Sequence, residues 1–81
     1  MDESELEPGK SYTIPGNTIV TGFAQDSAGS DVQAEFPATN AVLTYIGPAS
    51  EGHSRFTVSG AEVLGQSIDL RPYWIRVLKP V

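Results

Sequence analysis

Residues 41–59 read AVLTYIGPASEGHSRFTVS, and they decide the fold class. Ala41–Ile46 is a nearly continuous apolar run that suits a strand covered on both sides, the best candidate for the centre of the fold. Gly47–Gly52 forms a loop. Ser54–Ser59 then alternates, with Phe56 and Val58 inward and Arg55 and Thr57 outward.

The same texture extends upstream. Ser11–Ile14 alternates polar and apolar residues, Pro15-Gly16 fits a type II turn, and Thr18–Ala24 resumes as a strand. Gly22 interrupts that strand and signals a bulge or a close backbone approach. Gln25–Asp31 is a polar loop, after which Val32, Ala34 and Phe36 share one side of Val32–Phe36. Downstream, Gly60–Gln66 is ambiguous. Ala61, Val63 and Leu64 fit one helical turn, whereas the flanking glycines favour a short strand or irregular link.

In the closing segment, Ile68–Leu78, Pro72 must start a strand or lie on an edge, because proline gives the ladder no N–H. From Tyr73 onward a strand would place Tyr73, Ile75 and Val77 on a uniformly apolar core face. Trp74, Arg76 and Leu78 would then point away from the interior as a contact face, with Tyr12 beside them if the first strand pairs with the last. Trp and Arg are the residue types most enriched at interface hot spots. The competing reading keeps Trp74 in the core with Arg76 snorkelling beside it.

The resulting expectation is an all-β fold: a small antiparallel β sandwich or partly open barrel of about five to seven short strands. Residues 10–81 form one β domain. Met1–Gly9, with Asp2, Glu3, Glu5 and Glu7 and no base, reads as an extended, flexible acidic N-terminal arm.

Size and composition bound the chemistry. Of 81 residues, 20 are Leu, Ile, Val or Phe, enough to expect folding. A chain this short hides only about 60 % of its unfolded surface, so small domains commonly need disulfides, metals or association. With no cysteine and one histidine, disulfides, thiolate metal sites, a cysteine nucleophile and any site needing two imidazoles are excluded. Ten acids against five bases leave a net charge of −5, which repels phosphate backbones, so no nucleic-acid partner is expected. The bases in RPYWIRVLK are too few to reverse that. No apolar run is long enough to span a membrane, and the acidic start does not resemble a secretory signal. Cytoplasmic synthesis is the corresponding expectation, with the final location left open and a virion one candidate, and no membrane partner is expected.

Catalytic readings find little support. His53 lies beside Ser50, Glu51, Ser54 and Arg55, but nothing nearby resembles a nucleophile elbow or an oxyanion-donating turn. Asp26, Asp31 and Glu51 fall in loops and Glu35 points outward from its strand, as solubilising charges do. Asp26–Asp31 fails the EF-hand spacing and fits an ordinary polar turn. No phosphate-cradling glycine pattern occurs. The expectation is therefore a non-enzyme with no cofactor and no metal.

Two function classes remain. The first is a structural accessory subunit that docks on copies of itself or on a larger symmetric protein scaffold, as virion decoration or cement proteins do. The chain is similar to them in size and composition alone: 29 of 81 residues are Ala, Gly, Ser or Thr, and Lys is scarce. A homo-oligomer is expected, the acidic arm of one protomer reaching the basic last segment of the next. Its competitor has the arm folding back on its own domain, or simply solvated. The second class is a small acidic inhibitor or adaptor for one macromolecular target, such as a virus-encoded inhibitor of a host system.

Overall fold

Gly, Pro and Asn cut the chain into runs too short to form a stable layer singly, so the runs pair with one another. The computed structural model describes residues 1–81. Seven strands appear: β1 (Ser11–Thr13), β2 (Ile19–Gln25), β3 (Asp31–Pro37), β4 (Val42–Pro48), β5 (Ser54–Ser59), β6 (Ser67–Leu70) and β7 (Lys79–Pro80). One short helix, α1 (Pro72–Val77), interrupts them. All seven strands join a single open sheet in the order β3-β2-β6-β5-β4-β1-β7, with every neighbouring pair antiparallel. The mostly antiparallel β architecture expected from the sequence is present.

Period-two alternation gives the sheet a buried and an exposed face. Across the strands, Tyr12 pairs with Leu43, Leu43 with Val58, Tyr45 with Phe56, Phe56 with Ile68, and Val20 with Phe36. These residues belong to one apolar cluster, which Ile75 and Leu78 complete from α1 and its C-terminal end. Val32 and Ala34 are half-buried and Phe36 is buried, so the side they share is the inner one.

The expectation that Ala41–Ile46 is covered on both sides is corrected. Ala41, Leu43 and Tyr45 are buried, whereas Val42 and Thr44 are only half-buried and Ile46 is exposed. Ile46 falls where the register between β4 and β5 slips by one residue, so it is the extra residue of a bulge. The central strand of the seven is β5, next to β4.

Gly22 does serve a close approach. The register of β2 on β3 runs through it without a break, and a Cβ there would lie 2.5 Å from the Asp69 carbonyl oxygen and 2.9 Å from Ile68 Cγ1. The Pro15-Gly16 turn has Gly16 at φ 93°, as a type II turn requires. Residues 60–66 form an irregular link ending in a single 3₁₀ turn, Leu64–Gln66.

The closing segment departs from expectation most. Pro72 occupies the first turn of α1, where its missing N–H has no helical partner to lose. Helical spacing then buries Ile75 and, just beyond, Leu78, while Tyr73 is 61 % exposed. The strand-based core face of Tyr73, Ile75 and Val77 is therefore overturned. The N-terminal stretch also differs: instead of an extended arm it makes a 3₁₀ turn at Glu3–Glu5, and Leu6 enters the core.

Replacing Gly22 with Ala is expected to destabilise the fold by about 1–3 kcal/mol through overpacking against β6, measured by urea unfolding. Ser54 gives a change of opposite sign. Its hydroxyl is wholly buried without a hydrogen-bond partner, so Ser54→Ala should be neutral or stabilising by up to about 1 kcal/mol in the same assay.

Candidate contact face

Three features carry polar or aromatic side chains: the outer face over β2, β6 and β5, the helix α1, and the acidic stretch against the last strand. On the outer face, the strand register aligns Gln33, Phe23, Asp69 and Arg55 in one row. Arg55 grips Asp69 with two bonds, Nε donating to Oδ1 at 2.7 Å and Nη2 to Oδ2 at 3.0 Å. This is the only ion pair in the protein. The bond to Asp69, its charge and, more weakly, the charge of Asp31 hold the Arg55 guanidinium above its ordinary pKa.

A cation whose folded pKa is raised contributes stability below its unfolded pKa and loses it as pH rises through the folded one. The Arg55 contribution is therefore constant across neutral pH and falls away as the pH rises into strong alkali. Two further groups pack on Phe23: the His53 ring, tilted, at 5.3 Å between centroids, and the Arg71 guanidinium at 5.0 Å from its centroid.

This row offers no assembled catalytic group. His53 makes no side-chain hydrogen bond and leans on Phe23, while the neighbouring Ser54 hydroxyl faces inward, unpartnered. Asp26 Oδ1 accepts the N–H groups of Ala28 and Ser30, closing the β2–β3 turn. No three His, Cys, Asp or Glu side chains converge on a point. No helix is long and apolar enough to cross a membrane.

The residues singled out in the sequence separate. Leu78 and Tyr12 are 2 % and 3 % exposed, inside the protein's own core. Tyr12 does pair with the last strand, opposite Pro80, and its hydroxyl accepts the Glu7 N–H at 3.1 Å. Trp74 is half-buried against the core instead of pointing away from it, and Arg76 is exposed. Tyr73, which strand spacing assigned to the core, stands edge-on to Trp74 at 5.0 Å and faces solvent. Thus Trp74 and Arg76 remain together on α1, joined by Tyr73 and without Leu78 or Tyr12.

Asp2, Glu3, Glu5 and Glu7 remain exposed, yet their backbone folds back on the domain. The Met1 amino group donates to the Arg76 carbonyl at 2.8 Å, and Asp2 and Glu3 line a recess of about 160 Å³ with Pro72, Ile75 and Arg76. The acidic stretch therefore lies beside the basic segment of its own chain. None of its carboxylates comes within ion-pair distance of Arg76 or Lys79.

Sequence reasoning missed α1, the Arg55–Asp69 pair and the packing of His53 and Arg71 on Phe23. Pro72 was the available signal for the helix, since proline is favoured at a first helical position. Compared with known proteins, the chain matches no family model, no curated protein and no solved structure.

Truncating Arg55 to Ala leaves Asp69, only 6 % exposed, without its partner. The expected loss is about 1–3 kcal/mol in urea unfolding at pH 7. That is below the cost of breaking a wholly buried pair, because the Arg55 side chain is about one-third exposed and partly screened.

Proposed function

We propose that the protein acts by contact, as a non-catalytic accessory subunit that docks on a larger symmetric protein scaffold. The observation that carries this reading is the α1 surface. An exposed Tyr73 is braced edge-on by Trp74, and Arg76, exposed on the same helix, makes no ion pair. On a chain of net charge −5, that sets aromatic area beside an exposed cation on one short helix. Such a combination suits the centre of an interface with an acidic protein surface.

The alternative of a small-molecule site has weaker support. The depression of about 430 Å³ beside Arg71 is lined by Thr21, Gly22, Gln33, Ala34 and Glu35, with Ala34 its only apolar side chain. Ligand pockets are mostly apolar. We also read the open sheet as curled towards a partly open barrel, because Phe36 of β3 and Tyr12, next to the opposite edge, share one cluster.

The double variant Tyr73→Ala, Arg76→Ala should keep the circular dichroism spectrum of the parent, since both side chains are exposed. It should lose at least about tenfold in affinity for the scaffold co-purified from the native source. Undiminished binding would overturn the assignment of α1. A strict one-to-one complex with a single target would favour the inhibitor or adaptor reading over an accessory subunit.

A further inference from the structure

β3 closes one end of the sheet and has a strand on one side only, β2. Most natural edge strands are short, bulged, covered, or marked by proline or charge, lysine above all, and β3 carries of these the carboxylates Asp31 and Glu35 and a final proline. β3 has seven residues, an unbroken register and no lysine, with proline only at its last position. Its outer-face side chains are all exposed, and Val32 and Ala34 on the inner face are only half-buried.

The direction of its free hydrogen-bonding groups follows from the ladder. Ala38 N–H donates to the Thr18 carbonyl and Asp26 N–H to the Ser30 carbonyl, at opposite ends of the β2–β3 pairing. Both pairs fit the register that sets Val20 against Phe36 and Gly22 against Ala34. Even-numbered residues therefore exchange bonds across β2–β3, and the N–H and C=O groups of residues 31, 33 and 35 point to the open side. Pro37 offers only its carbonyl there.

Building on the contact reading above, we propose that this edge receives β3 of a second copy, the two strands pairing antiparallel about Ala34. Ladder parity allows only odd residues to face odd residues across the new seam. Centring the two-fold on Gln33 would set Asp31 against Glu35 of the partner subunit, and centring it on Glu35 would set that carboxylate against its own copy. Both place like charges opposite each other, which destabilises a cross-strand pair.

Centring on Ala34 places Gln33 opposite the partner's Glu35 and Asp31 opposite the partner's Pro37. That register opposes no like charges and lets each Gln33 amide donate to a carboxylate. It also sets Val32 against the partner's Phe36, so the apolar face continues across the seam and the half-buried Val32 and Ala34 gain cover. Six backbone bonds form, the seventh and eighth being lost to the two prolines. The contact is isologous, so it closes at a dimer.

The test is sedimentation equilibrium over a concentration series at physiological ionic strength, for the parent, Gln33→Glu and Gln33→Lys. Gln33 is exposed on the outer face, so both variants should retain the parent's circular dichroism and urea midpoint. The parent should show a monomer–dimer equilibrium. Gln33→Glu, which sets two pairs of carboxylates face to face, should weaken the dimer by about tenfold, and Gln33→Lys should strengthen it by a similar factor. A parent that stays monomeric throughout, or a dimer that the two substitutions shift equally or not at all, would overturn the proposal. Scaffold binding through α1 is read in a separate assay, so a monomer that still binds its scaffold would sink the β3 pairing alone.

Discussion

The whole architecture hangs on the narrow seam between β2 and β6. There the two backbones approach so closely that only glycine fits at position 22, and the paired register comes down to Phe23 opposite Asp69. The β2–β3 ribbon reaches the other five strands through this seam. It brings Val20 and Phe36 to the same cluster as Phe56, Ile68 and Leu70, all with little or no exposed surface. Asp69 is held at the seam by the two-pronged grip of Arg55 on its other side. A chain with no second layer beyond one short helix has to bury its apolar face largely against itself. The seam is what lets this sheet do so.

The charge asymmetry of the chain takes a different form in three dimensions from the one its linear arrangement suggests. Acidic residues at one end and basic residues at the other invite head-to-tail exchange between protomers. In the folded protein the acidic stretch is tied down locally: Leu6 enters the core, Glu7 N–H reaches the Tyr12 hydroxyl and the Met1 amino group reaches α1. Its carboxylates stay in solvent beside, but not bonded to, the basic segment. The N-terminal turn is thereby tied to the backbone of α1. Surfaces held by a rigid scaffold bind with less ordering cost than mobile segments do.

Much of the sheet was legible because its signals are local. Alternation along Val32–Phe36 and Ser54–Ser59 gave the correct inward sides, Gly22 announced either a bulge or a close approach, of which the second is present, and Pro15-Gly16 announced a turn. The failures came where local pattern is ambiguous or the determinant is distant. Over six residues, Tyr73-x-Ile75-x-Val77 satisfies a strand and Ile75-x-x-Leu78 satisfies a helix; Pro72 at the first helical position favours the helix, and packing against β6 and the N-terminal turn secures it. The bulge at Ile46 depends on the pairing register with β5, which the residues of β4 do not encode. Arg55 and Asp69 are fourteen residues apart and meet only because β5 and β6 lie side by side. Of the four residues named for the contact face, Leu78 and Tyr12 are buried, Trp74 is half-buried against the core and Arg76 is exposed. Residue type had pointed to them, and geometry decided among them.

Amide hydrogen exchange followed residue by residue in dilute solution tests the seam and the open edge together. If β2 is anchored to β6 and β3 is the sheet's end, the amides of Val32, Ala34 and Phe36 are protected while those of Gln33 and Glu35 exchange at close to solvent rates. Equal protection of all five in the monomer would mean that another strand covers β3. Equally fast exchange of all five would mean that the β2–β3 ribbon is not held by the rest of the sheet.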